Sequence, residues 1–138
     1  MRSSQIISEP PKIIVNKDTL RKIKNSLYDE RVTIIHCTYV AKQKFINGGW
    51  VNIYPSTYLM NPVDRNQLKL QHAVNIPLAP SKHYFNKPGD VKKFILYFPP
   101  IPRHWKIFHL LEETNDNSGF TACNLEGNNS GIYEVFLE

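Results

Sequence analysis

The sequence is poor in most features that announce a biochemical activity. It holds only two cysteines, Cys37 and Cys123, one in each half of the chain and without a C-x-x-C. That leaves no cysteine-based metal framework, and the two read as independent small apolar side chains rather than a disulfide. Apolar runs such as Phe94 to Phe98 fall far short of the roughly 20 residues a helix needs to cross a bilayer, so no transmembrane span is expected. There is no Gly-rich phosphate loop and no G-x-S-x-G elbow, nor any internal repeat or low-complexity tract. Basic residues are missing from the last quarter: residues 107 to 138 carry six acids and no Lys or Arg, whereas the first 106 residues carry 17 basic against six acidic side chains, a local excess of 11. The bases are dispersed, which fits basic strands lying beside acidic ones as well as it fits an anionic partner.

What is present is an ordinary globular composition. With 138 residues, 41% hydrophobic and 21% charged, the chain has enough apolar material for one core and too much for a disordered segment. Ten prolines and six glycines interrupt it often, and few windows hold apolar residues at helical spacing. Asp18 to Tyr28 fits a helix through Leu20, Ile23 and Leu27, but the β pattern that continues beyond it favours a strand.

Strand signals are stronger. Arg31 to Val40 is rich in β-branched and aromatic residues, with Ile35, Cys37, Tyr39 and Ala41 on one alternating face, as in a central strand. Asn47-Gly48-Gly49 supplies residues that accept positive φ, and the chain resumes as a short strand over Trp50 to Tyr54. Thr57 to Met60 and Gln67 to Gln71 flank a turn and suggest a hairpin. Residues 76 to 90, with Pro77, Pro80, Pro88 and Gly89, read as an irregular crossover. Val91 to Phe98 is the most apolar strand and must stop at Pro99-Pro100-Ile101-Pro102, where proline removes ladder donors. Trp105 to Leu111 is a plausible partner for it. Phe120 to Leu125 and Ile132 to Leu137 form a second expected hairpin around the loop 126–131.

Seven or eight short strands with frequent turns and a long crossover point to an all-β fold, a single antiparallel β-sandwich with Greek-key connections, a small barrel being the second choice. Residues 1–11, with Pro10-Pro11, are expected as an extension and 12–138 as the sandwich. Strands 31–40, 91–98 and 105–111 are expected to supply the core.

The run Tyr97-Phe98-Pro99-Pro100-Ile101-Pro102-Arg103-His104-Trp105-Lys106-Ile107-Phe108-His109-Leu110-Leu111-Glu112 resembles immunoglobulin-like sandwich domains of unassigned function in bacterial envelope proteins. There, a strand ending in an aromatic and a proline corner precedes a strand ending in two apolar residues and Glu. Thr33 to Tyr39, Trp50 to Leu59 and Ile132 to Leu137 are similar to that family's other strands, and the resemblance spans roughly residues 18–138. It implies a packing scheme and not a chemistry. Such domains often precede a thioredoxin-like module. The first residues, Met1 to Ile7, show no signal-peptide h-region, so the expected compartment is the cytoplasm, or the envelope or periplasm if a signal was removed.

A search for chemistry finds no convergent set. The five histidines lack metal spacing, and His36 and Cys37 alternate to opposite faces. Glu112-Glu113 diverge on a strand and read as a solvated strand end. No catalytic, metal or cofactor residue is assigned, and the chain is expected to be a non-enzymatic accessory or protein-recognition module. Candidate contacts to a partner protein are Lys42, Lys44 and Trp50 from the first turn and His83, Tyr84 and Phe85 from the crossover. Lys42 and Lys44 beside Phe45 and Trp50 also permit the alternative, an anion- or nucleic-acid-binding module.

Overall fold

The computed structural model describes residues 32–112, 114 and 119–137. The expected boundary between residues 11 and 12 and the segment Asp18 to Tyr28 lie outside the described residues. Ten strands are present among those described: β1 (Thr33–Val40), β2 (Trp50–Val51), β3 (Tyr58–Met60), β4 (Gln67–Lys69), β5 (His72–Val74), β6 (His83–Tyr84), β7 (Val91–Phe98), β8 (Ile107–Leu111), β9 (Thr121–Glu126) and β10 (Ile132–Leu137). They exceed the seven or eight expected because the crossover holds β6 and because β5, after the expected strand Gln67–Gln71, is an additional strand. One four-stranded sheet has the order β10-β1-β7-β5, a second β4-β3-β8-β9, and β2 and β6 form a separate ribbon.

The alternation in β1 and β7 explains their central place. Their eight residues pair antiparallel along their whole length, from Thr33 opposite Phe98 to Val40 opposite Val91. One face carries Ile35, Cys37 and Tyr39 from β1 and Phe94, Leu96 and Phe98 from β7, which join Leu59, Phe108, Leu110, Ala122 and Leu125 of the second sheet in a single buried core. This is the two-layer solution for strands that each have an apolar face. Tyr133, Val135 and Leu137 bring β10 into the same core, with the Tyr133 ring edge-on to Phe108 at 5.1 Å.

Three pairings depart from expectation. β10 runs parallel to β1, Ile34 lying opposite Ile132 and Tyr39 opposite Leu137, whereas the sandwich was expected to be antiparallel throughout. Strands far apart in sequence have no tight turn between them to impose an antiparallel direction. β7 does not pair with β8. The proline corner carries the chain from one sheet to the other, and Ile101 N donates to the buried Thr33 Oγ1 at 3.1 Å, fixing the corner to β1. β9 and β10 likewise belong to different sheets, so the loop between them bridges the layers. In that loop Asn128 Oδ1 accepts from the N–H groups of Ser130 and Gly131, and the Tyr133 hydroxyl accepts from Asn128 N–H. By contrast β3 and β4 form the expected antiparallel hairpin, Leu59 opposite Leu68.

Candidate recognition surface

The ribbon is built by two loops that clasp one another. Ala41 N–H donates to Asp90 C=O at 2.8 Å and Gly89 N–H to Ala41 C=O at 3.0 Å, so the ends of both loops are tied at β1. The Asp90 carboxylate accepts from the N–H groups of Asn86 and Lys87. Gly48 has φ +80°, and a Cβ there would lie 2.6 Å from Lys87 C=O, so only glycine admits this approach. Gly49 C=O then accepts from Phe85 N–H at 3.0 Å, which starts the ladder.

Alternation along this short ladder sorts the side chains. Val51 opposite His83, with Phe85 beyond, faces inward: Val51 and Phe85 are buried, Phe85 stacks on Tyr39 at 5.7 Å, and the His83 ring meets Phe85 edge-on at 5.1 Å. Burial, and to a lesser degree Lys92, lowers the His83 pKa below the usual imidazole value. Trp50 opposite Tyr84 faces outward, and these two are 44% and 66% exposed. Directly opposed residues on one face of an antiparallel pair lie side by side. The Phe45 ring covers Gly49, with its Cδ2 3.0 Å from where a Cβ would stand, and Phe45 and Ile46 are both exposed on the turn that precedes Trp50. Lys82 Nζ sits 4.5 Å from the Trp50 ring centroid and Lys44 Nζ 5.1 Å from that of Phe45.

Of the six residues singled out from sequence, the structure thus pairs Trp50 and Tyr84 on one outer face, with Lys42 and Lys44 exposed on the turn that precedes Trp50. Phe85 is a core residue that anchors the ribbon, and His83 lies beneath Tyr84 against it. Sequence reasoning named Phe45 only for the anion-binding alternative and missed Ile46 and Lys82, whose signal was present: an apolar residue two positions before Gly48 and a basic residue two positions before Tyr84.

A second concavity lies on the outward face of the β10-β1-β7-β5 sheet. It encloses about 340 Å³ and is bordered by His36, Thr38, Asn75, Lys93, Ile95 and Glu134. His36 and Glu134 are register neighbours, and burial holds the imidazole below its ordinary pKa while the Glu134 charge opposes that shift. His36 Nε2 is buried without a hydrogen-bond partner. Cys37 points to the opposite, core-facing side, where burial pushes its thiol far above the ordinary range. No group of three or more His, Cys, Asp or Glu side chains converges among the described residues, and no described helix is long and apolar enough to cross a membrane.

Glu112 corrects a reading made from sequence. It is a partly buried clasp and not a solvated strand end: Oε2 accepts from Tyr54 N–H at 2.7 Å and Oε1 from Phe120 N–H at 3.1 Å. Burial raises its pKa above the usual carboxyl value, and the two N–H donors oppose that rise. No family model, curated protein or solved structure matches the chain.

Proposed function

We propose that the chain is a non-enzymatic recognition module, an accessory sandwich of the immunoglobulin-like kind that binds another protein through the outer face of the β2–β6 ribbon. The observation that carries this reading is the exposed Trp50–Tyr84 pair on a ribbon whose inner face is held by the core, with Phe45 and Ile46 exposed on the preceding turn. Exposed aromatics on a rigid support are the usual energetic anchors of protein interfaces, since they bring large area at low entropy cost. The two lysines over the rings keep the patch hydrated at its rim and favour a partner with carboxylates at the matching positions.

The same lysines support a second reading, in which Trp50 and Phe45 stack on the bases of a single-stranded nucleic acid. Pull-downs at low and moderate salt with the wild type and a Trp50→Ala/Tyr84→Ala variant separate the readings. A protein retained at moderate salt by the wild type and lost by the variant is the expected result. Retention of nucleic acid alone, lost steeply as salt rises, would transfer the surface to the second reading. Equal retention by both forms would remove the ribbon from either.

A further inference from the structure

The second sheet holds a feature that the ribbon does not use, at the irregularity in the β8–β9 pair. Phe108 lies opposite Leu125 and Leu110 opposite Ala122, so His109 alone faces two residues, Cys123 and Asn124. Two residues against one is the arrangement of a β-bulge. Phe108, Leu110, Ala122 and Leu125 all point into the core, and alternation turns His109 and Cys123 to the outer side of the sheet. β9 stands at the end of the described order β4-β3-β8-β9, which places the bulge on an edge strand.

Asn124 takes φ +58°, a left-handed conformation that asparagine accepts more readily than most residues, and its N–H donates to His109 Nδ1 at 3.0 Å. The direction of this bond fixes the state of the ring. A ring nitrogen that accepts an N–H bond carries no proton, so the neutral imidazole keeps its one proton on Nε2. In the imidazolium both nitrogens are donors, and Nδ1–H would point at Asn124 N–H across a separation that suits only a donor and an acceptor. Ring and amide cannot both keep their places once the second proton is bound.

We infer that His109 is an acid-released latch on the β9 edge: the neutral ring holds the bulge, and protonation frees Asn124 and with it the middle of the strand. The core pairs on either side, Leu110 with Ala122 and Phe108 with Leu125, stay in register, so the release is local. Across the sheet from His109 lie Met60 on β3 and then Gln67 on β4, neither of them charged. Among the described residues, the titratable or charged groups on this outer side are Cys123 in the bulge itself, Glu126 opposite Ile107, and the Tyr58–Lys69 pair beside Leu111. Of all these groups, His109 is the one that turns from acceptor to donor at its contact with Asn124 N–H. The bond is therefore present while the ring is neutral and is lost as pH falls through the range in which imidazoles take up a second proton.

Nitrogen-15 NMR on the full chain, titrated from about pH 8 to about pH 5, tests this. At the upper end the His109 ring nitrogens should show the proton on Nε2. As the ring titrates, the Asn124 amide resonance should move with the same midpoint. Its hydrogen exchange, corrected for the intrinsic effect of pH, should rise several-fold, while the amides of Ala122 and Leu125 keep their protection. His109→Asn supplies a side-chain oxygen near the position of Nδ1 that does not titrate, and should make Asn124 exchange independent of pH over this range. A proton on Nδ1 at the upper end, or an Asn124 amide indifferent to the ring's titration, would overturn the latch in the wild type alone. Persistence of the pH dependence in His109→Asn would overturn it too, and would transfer the effect to Cys123 or Glu126.

Discussion

Single side chains at two positions set measurable properties of the protein. Glu112 takes the place of a backbone ladder between Tyr54 and Phe120, residues from separate loops. Replacing it with Ala strands two N–H groups in a partly buried site and should cost about 2 kcal/mol in urea unfolding at neutral pH. Its pH dependence follows from the raised pKa. The native state favours the protonated form, so this group's contribution is complete below the ordinary carboxyl value of 4.5 and is lost as pH rises through the higher native value. The stability difference between wild type and Glu112→Gln should therefore shift against the wild type between pH 4.5 and 7.5; a pH-independent difference would show that the carboxyl does not titrate abnormally. At the second position, Cys37 is fully buried with a strongly disfavoured thiolate, while Cys123 is partly exposed and both are free. An aromatic disulfide reagent should modify one thiol per native chain, mapped to Cys123 by peptide analysis, and both after unfolding.

At the scale of elements, the ribbon depends on one close approach. Gly48→Ala places a Cβ against Lys87 C=O and demands a left-handed conformation of an L-residue, which together should cost on the order of 1–3 kcal/mol. It should also weaken partner capture without altering Trp50 or Tyr84, because it displaces the strand that presents them. Thermal melts and the pull-down, run on the same preparation, check both outcomes. Another element-scale feature is the register shift between Phe108 and Leu110 in the β8–β9 pair. There Asn124 takes φ +58° and its N–H donates to His109 Nδ1 at 3.0 Å. An extra residue absorbed in this way bends the strand, and the histidine supplies the acceptor that the ladder does not.

For the whole molecule, stability rests on the contact between two layers. Phe108 and Leu96 face each other's sheets from the centre of the single large core and are fully buried. Truncating Phe108 to Ala should cost about 3–5 kcal/mol and Leu96 to Ala about 2–5, a large part of the stability of a domain this size. Chemical denaturation with unchanged m-values would confirm the loss as one of packing.

Much of the local structure was legible before the fold was seen. The bounds of β7 and β10 follow directly from alternation, from the prolines after Phe98 and from the glycine before Ile132. The inner face of β1, Ile35, Cys37 and Tyr39, is the one that period-2 spacing marks. Trp50 and Tyr84 were candidates on residue type alone. Their side-by-side placement was not, because it requires the pairing of two segments more than thirty residues apart. Side-chain alternation states which face of a strand is buried and is silent on which strand lies next to it. That is why the neighbours of β7, β9 and β10 emerged only from the tertiary structure, as did the parallel run of β10 beside β1. Glu112 belongs to the same class: its composition and neighbours suggest a solvated acid, and only the approach of Tyr54, from 58 residues away, makes it a clasp. The sequence by itself determined the all-β character, the faces of the long strands and the points where prolines end them, since these depend on backbone sterics and local burial preference. The tertiary structure alone decided sheet membership, strand direction and the outward aromatic pair, since these depend on which distant surfaces exclude water together.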